Sequence, residues 1–162
     1  MLIVAFTAAL FALTFYFNDI LENQTNPNQT PASYETQSGV REVVLERNRQ
    51  GHYVSGGYIN GIAVTFLLDT GATDVAIPAA LAEQAGLKAG RETLASTANG
   101  VIKVYSTRIE ELRLGNIRLR NISASLTPSM SGNTILLGMS ALQKLDFSQR
   151  GSTLTLRQLP ES

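Results

Sequence analysis

The chain has 162 residues, a length that fits one folded domain with a short appendage. Its 13 basic and 13 acidic residues give zero net charge, which argues against the basic surface that a nucleic-acid partner requires. The absence of cysteine and the single histidine, His52, exclude disulfides, cysteine metal sites and clusters of histidine ligands. His52 lies in a strand-like stretch and fits a packed or solvated side chain better than a catalytic one. We therefore expect no metal and no other cofactor.

Residues 1–17 are almost wholly apolar and contain no charged side chain. As a helix they would rise about 25 Å, close to the roughly 30 Å of a bilayer core, so they predict a single transmembrane anchor. The alternative is a signal peptide, although no basic region precedes the apolar run and no small-x-small cleavage site follows it. The segment resembles an anchor at the start of a translocated chain. We therefore expect the domain to lie outside the cytoplasm, on the periplasmic or extracytoplasmic side.

Residues 18–39 are rich in Asn, Gln, Thr, Ser and Pro and show no hydrophobic period. This composition predicts a flexible linker. A disordered segment of this length would reach about 25 Å, enough to let two anchored copies meet above one membrane. The folded domain is expected to occupy residues 40–158.

From Val40 the pattern is that of β-structure. Residues 43–45 form a candidate strand, and residues 52–59 and 62–68 flank Asn60-Gly61. Asn-Gly between two apolar runs is a strong hairpin signal, because a type I′ turn needs positive φ at both positions.

The second strand of this hairpin ends in Asp69, Thr70, Gly71 and Ala72. A carboxylate at the end of a buried strand is costly to desolvate, so its position requires a reason. Gly71 has no Cβ and allows a tight turn or the close approach of another chain. Taken alone, the triplet would equally suit an ordinary turn at the end of a strand.

Two short helices are predicted, over residues 78–86 and residues 139–145. Pro78 suits a first helical position and Gly86 a helix end. The second helix follows an apolar strand that ends in Leu137 and Gly138.

Two further hairpins are predicted between these helices. Residues 93–98 and 101–107 flank Asn99-Gly100, and residues 108–114 and 117–126 flank Gly115-Asn116. In the last hairpin arginines alternate with apolar residues, which indicates a half-buried sheet with one basic face. This face, with Arg113, Arg118 and Arg120, fits either simple solvation or an acidic partner. Strands near residues 145–147 and 153–156 close what we expect to be a mostly antiparallel, small closed β-barrel.

Three of these segments together resemble the retropepsin-like aspartic proteases, in particular the bacterial membrane-anchored group. Asp69-Thr70-Gly71-Ala72 resembles the catalytic loop, and residues 135–138 with the following helix resemble the element that braces this loop. Ala98-Asn99-Gly100 lies where the family has the tip of its flap hairpin. The resemblance covers roughly residues 40–158 and implies a single-lobed barrel.

The resemblance also implies roles for individual residues. Asp69 is the expected catalytic acid, Thr70, Gly71 and Ala72 support its loop, Ala98, Asn99 and Gly100 contact substrate from the flap, and Leu137 and Gly138 brace the loop. Aspartic proteolysis needs two adjacent carboxylates that share one proton and activate one water. The other aspartates, Asp19, Asp74 and Asp146, lack this context, and no repeat supplies a second lobe. The chain is therefore expected to be a homodimer that cleaves protein or peptide substrates.

Two alternatives come from other classes of function. The first is a membrane-tethered retropepsin-like module that binds peptides or proteins without cleaving them, since a fold does not guarantee an activity. The second is an assembly module that uses its basic β face. Retention of Asp69 favours the enzyme, because a binding module has no need for that carboxylate.

Overall fold

A computed structural model of the chain describes residues 21–97 and 100–160. Eleven strands account for most of the described part: β1 Ala32–Glu35, β2 Arg41–Glu46, β3 Val54–Ile59, β4 Ile62–Leu68, β5 Val75–Pro78, β6 Glu92–Thr97, β7 Gly100–Leu114, β8 Ile117–Thr127, β9 Thr134–Leu137, β10 Asp146–Arg150 and β11 Thr153–Gln158. The prediction of a mostly β protein is confirmed.

Seven strands form the larger sheet in the order β3-β4-β9-β5-β8-β7-β6. An additional pairing of β3 with β7, through Tyr58–Arg113 and Ile59–Leu112, closes six of them into a barrel. The interior is filled by fully buried large apolar side chains, among them Ile59, Phe66, Ile77, Ile109 and Ile135. The hairpin β6–β7 extends from this barrel.

The barrel is mostly antiparallel, as predicted, but β4 pairs with β9, and β5 with β8, in parallel. Parallel neighbours cannot be joined by a tight turn. The consequence is that β9, late in the chain, inserts between β4 and β5, which lie on either side of the loop that contains Asp69.

A second sheet of four strands, in the order β1-β2-β11-β10, packs against the barrel. Val43 and Leu45 of β2 and Leu154 and Leu156 of β11 join the same apolar core as the barrel residues. Gly115, in the turn between β7 and β8, permits this contact. A Cβ there would lie 2.2 Å from the Ser33 hydroxyl oxygen and 2.9 Å from a Val43 methyl carbon.

The segment interpreted as a flexible linker is partly built into the domain, which corrects that prediction for its described residues. Residues 21–25 are helical, and β1 pairs with β2. Asn28 is buried, and its side chain donates to the Glu46 and Val54 carbonyls at 2.9 and 2.7 Å and accepts from the Glu46 N–H at 2.7 Å. Polar residues therefore fix this segment by hydrogen bonds, which an apolar pattern does not reveal.

The two predicted helices are present in shorter form. The first is only a 3₁₀ turn over Ala79–Leu81, because Pro78 belongs to β5 and pairs with Thr127. The second is an α-helix over Met139–Leu142.

The hairpin at Asn60-Gly61 is confirmed, with φ of 47° and 83° at the two turn residues. The predicted separate strands 101–107 and 108–114 are one strand, β7, that serves both neighbouring hairpins.

The predicted transmembrane segment, residues 1–17, lies outside the described residues. Within residues 21–97 and 100–160, no helix is both long and apolar enough to cross a bilayer.

Candidate active site

Asp69 lies directly after β4, where that strand leaves the barrel. Its N–H donates to the Leu137 carbonyl at 3.2 Å, which continues the parallel pairing of β4 with β9 by one residue. Val64 and Phe66 anchor the strand in the core, and the side chain of Asp69 is half-buried at its end. The barrel therefore holds the carboxylate at its surface on a fixed strand.

The carboxylate also closes its own turn. Asp69 Oδ1 accepts a hydrogen bond from the Gly71 N–H at 2.8 Å, and the Asp69 carbonyl accepts from the Ala72 N–H at 3.2 Å. An aspartate that hydrogen-bonds the backbone two residues later is a common way to fix a turn. Thr70 and Gly71 are exposed and Ala72 is half-buried, so the tip of the loop faces solvent.

Gly138 packs closely against the loop that follows Asp69. A Cβ on Gly138 would lie 2.2 Å from the Asp74 carbonyl oxygen and 2.7 Å from the Ala72 carbonyl oxygen. The next N–H group, of Met139, donates to the Ala72 carbonyl at 2.8 Å. Since φ at Gly138 is −88°, an ordinary value, the glycine is required here for space and not for backbone conformation.

Ser140 is a contact of the loop to which the sequence analysis gave no role. Its N–H donates to the Thr73 carbonyl at 2.9 Å, and its hydroxyl oxygen accepts from the Val75 N–H at 3.1 Å. The same hydroxyl donates to the Ser123 carbonyl of β8 at 2.8 Å. One side chain thus ties the loop, the short helix and β8 together. A serine at the start of a helix is too common for its sequence position to reveal this.

A cavity of about 350 Å³ opens beside the carboxylate. Its lining combines the polar residues Asp69, Thr70 and Gln149 with aromatic and aliphatic side chains from the second sheet and neighbouring segments: Tyr53, Leu68, Leu142, Phe147, Leu154 and Leu156. The Tyr53 hydroxyl is buried and has no hydrogen-bond partner among the described residues. Phe147, on the edge strand β10, remains 47% exposed. Aromatic and aliphatic side chains therefore make up most of the lining beside the carboxylate.

The β6–β7 hairpin is present where a flap was predicted, and its strands pair from Glu92–Tyr105 to Thr97–Gly100. Ala98 and Asn99, two of the three predicted flap residues, lie outside the described residues. Gly100 begins β7 with φ of 111°, a conformation that favours glycine. Leu94 and Val101 are 70% and 66% exposed, which is unusual for apolar side chains.

An ion pair lies on the same hairpin, between Lys103 Nζ and a Glu92 carboxylate oxygen at 2.9 Å. The hydrogen bond from Lys103, with its charge, holds the pKa of Glu92 below the ordinary value and raises the pKa of Lys103 in return. Both groups are exposed, so this pair adds little to global stability.

No group of three or more His, Cys, Asp or Glu side chains suited to a metal occurs in residues 21–97 and 100–160. His52 is exposed. The chemistry available around Asp69 is that of one carboxylate, backbone amides and the Thr70 hydroxyl. One carboxylate can take up a proton from a water, but it cannot also protonate or hydrogen-bond a carbonyl as a second acid would.

Comparison with known proteins places these features in a family context. Residues 55–144 match the family model described as gag-polyprotein putative aspartyl protease. An uncharacterized protein in the cobV 5′ region of Sinorhizobium sp is 33% identical over 123 residues, which are 74% of this chain and 53% of that protein. The uncharacterized protein RP867 of Rickettsia prowazekii is 30% identical over 126 residues, which are 69% of this chain and 49% of that protein. The chain thus spans about half the length of these curated relatives.

Among solved structures, the chain is similar to a retropepsin-like aspartic protease from Rickettsia conorii. The match has a TM-score of 0.60 and 24% identity, and it covers 80% of this chain and 96% of that chain. At this identity the likeness concerns the fold, which agrees with the closed barrel described above.

Proposed function

The chain belongs to the gag-polyprotein aspartyl protease family and has a retropepsin-like fold, and on this premise we propose that it is an aspartic endopeptidase. The observation that carries the proposal is the Asp69 loop, which ends a barrel strand and is held from behind by Gly138 without room for a single methyl group. Catalytic groups must be kept in place to within a fraction of an ångström, and such packing is suited to that.

We further propose that the active enzyme is a homodimer in which Asp69 of each chain supplies half of the site. One carboxylate, ionised, takes a proton from the attacking water, while the other, protonated, donates a hydrogen bond to the scissile carbonyl. The tetrahedral intermediate then collapses and the amine leaves with a proton from the pair. Two adjacent carboxylates share one proton, because both cannot readily ionise at close range.

Each neighbouring residue has a part in this proposal. Gly71 lets two loops approach closely, Thr70 contacts the partner loop, and Ala72 faces the cleft. The β6–β7 hairpin covers an extended peptide, and Ala98, Asn99 and Gly100 contact that peptide. The peptide backbone would be held by main-chain hydrogen bonds, with alternate side chains in pockets.

The test is Asp69→Asn, which keeps the shape of the side chain and removes the ionisable group. Cleavage of a peptide library by the full chain should fall by at least about 1,000-fold, since catalysis loses both its general base and its shared proton. Asp146→Asn is the matched control, because Asp146 is an exposed carboxylate on β10 and should keep full activity. Undiminished cleavage by Asp69→Asn would show that the assignment is wrong.

The setting of the enzyme is also a proposal. We propose that residues 1–17 anchor the chain in a membrane and that the domain lies on the extracytoplasmic side, as their apolar character indicates. Protease digestion of intact and permeabilised cells would decide the side. Digestion of the domain only after permeabilisation of the inner membrane would contradict this placement.

A further inference from the structure

Three arginines line one small cavity where the second sheet meets the barrel. Arg41 is the first residue of β2, and Arg118 and Arg120 lie two residues apart on β8. The remaining lining comes from the turn before β2 and from the C-terminal end: Gly39, Gln158, Leu159 and Pro160. The cavity has a volume of about 200 Å³. Because a water takes up about 30 Å³ of liquid volume, a group of several non-hydrogen atoms fits here.

The backbone around this cavity is fixed by Gln158. Its amide oxygen accepts from the Arg118 N–H at 3.0 Å, and its amide nitrogen donates to the Arg118 carbonyl. On its own sheet, Gln158 is the register partner of Arg41. The two sheets are therefore joined at the site, and the three arginines are brought together by the fold.

None of the three guanidinium groups has a carboxylate oxygen within 4.0 Å among the described residues, where the two ion pairs are Lys103–Glu92 and Arg157–Glu42. Glu111 is the register partner of Arg120, yet it forms no such pair with it. Three like charges around one cavity repel one another, and arginine cannot relieve the repulsion by losing its proton. An anion in the cavity would relieve it.

We propose that this cavity binds a phosphate group. A phosphate carries up to about two negative charges and three strongly accepting oxygens, which match several guanidinium groups at once. A carboxylate carries one charge and is satisfied by a single arginine. The phosphate can belong to a free phosphate compound or to a phospholipid headgroup, and the experiment below separates these sources.

The first arm of the experiment titrates the isotope-labelled full chain, in zwitterionic detergent, with inorganic phosphate at constant ionic strength. Backbone amide signals of Arg118, Arg120 and Gln158 should shift and saturate. Arg118→Ala or Arg120→Ala should weaken binding by at least about tenfold, because each removes hydrogen bonds between charged groups.

Arg113→Ala is the matched control. It removes the same charge from the residue directly opposite Arg118, but the Arg113 guanidinium lies 4.8 Å over the Tyr58 ring and does not line the cavity. Arg113 would act on the anion only through its charge and not through a hydrogen bond, so Arg113→Ala should weaken binding by no more than about threefold. Shifts that do not saturate, or an equal loss in Arg113→Ala, would overturn the proposal and leave a solvated basic face.

The second arm measures binding of the full chain to phosphatidylglycerol and phosphatidylcholine vesicles. The comparison is with Arg118→Ala/Arg120→Ala, which has the same apolar N-terminus. If the cavity takes a lipid headgroup, the double variant loses the extra affinity for phosphatidylglycerol, and inorganic phosphate competes. Saturable phosphate binding without a vesicle difference assigns the site to free phosphate compounds. If neither phosphate nor anionic vesicles distinguish the double variant from the parent chain, the proposal is wrong.

Discussion

Gly138→Ala perturbs the Asp69 loop by adding one methyl group at its back. The new Cβ would lie 2.2 Å from the Asp74 carbonyl oxygen, and ordinary contact begins at 3.4 Å, so the loop or the helix must move by about 1 Å. That movement would strain the hydrogen bonds from Met139 and Ser140 to the Ala72 and Thr73 carbonyls. Overpacking of this kind costs about 1–3 kcal/mol, and a displacement of about 1 Å at a catalytic group costs about 100-fold in rate.

Thermal unfolding and peptide cleavage measure the two effects separately. The melting temperature should fall by about 3–10 °C for a domain of this size, and kcat should fall by about 100-fold. Gly132→Ala is the control, because a Cβ there meets nothing within 4 Å and its cost comes only from φ of 78°. It should lower stability by about 1 kcal/mol and leave kcat unchanged. Unchanged stability and kcat in Gly138→Ala would refute the packing argument.

Three further predictions concern residues around the site and the domain. Ser140→Ala leaves the Val75 N–H without its acceptor and should reduce kcat by about tenfold, whereas Ser140→Thr keeps the hydroxyl and should keep kcat near the wild-type value. An equal loss of kcat in both variants would contradict a positioning role. Asn28→Ala should lower the free energy of unfolding, measured in urea, by about 1–3 kcal/mol, because buried backbone groups lose their hydrogen-bond partners. An unchanged urea midpoint would show that these hydrogen bonds contribute nothing to stability. Glu92 has a lowered pKa, so its ion pair with Lys103 persists above that pKa and is lost as the pH falls through it. An NMR titration of Glu92 should give a midpoint below 4.5 in the wild-type chain and a higher, ordinary midpoint in Lys103→Ala, whereas equal midpoints would contradict the pairing.

The local features of this fold could be predicted from the sequence. The Asn60-Gly61 turn needs positive φ at two adjacent residues, and the chain supplies residues that tolerate it. Asp69 and Gly138 were identified through a resemblance of short motifs, and the structure places the two segments in contact. Such motifs are visible because each role depends on a few consecutive residues.

What could not be predicted depends on contacts between distant parts of the chain. Asn28 fixes the N-terminal segment through hydrogen bonds to residues 18 and 26 positions away, and its polar neighbours suggested a linker. Pro78 marked a helix start by local rules, but its pairing with β8 draws it into a strand. Ser140 contacts the loop that follows Asp69 only because β9, late in the chain, inserts beside β4 and β5 and brings the short helix there. No local pattern encodes these pairings.

The dimeric site is tested most directly by mixing the wild-type chain with increasing amounts of Asp69→Asn and measuring cleavage per wild-type chain after subunit exchange. If each chain supplies half of the site, activity per wild-type chain falls to about half in an equal mixture and declines further with excess variant, because wild-type chains then meet inactive partners. The same mixture with Asp146→Asn should show no decline. Activity per wild-type chain that stays constant at every ratio with Asp69→Asn would mean that a single chain carries a complete site, in contradiction to this account.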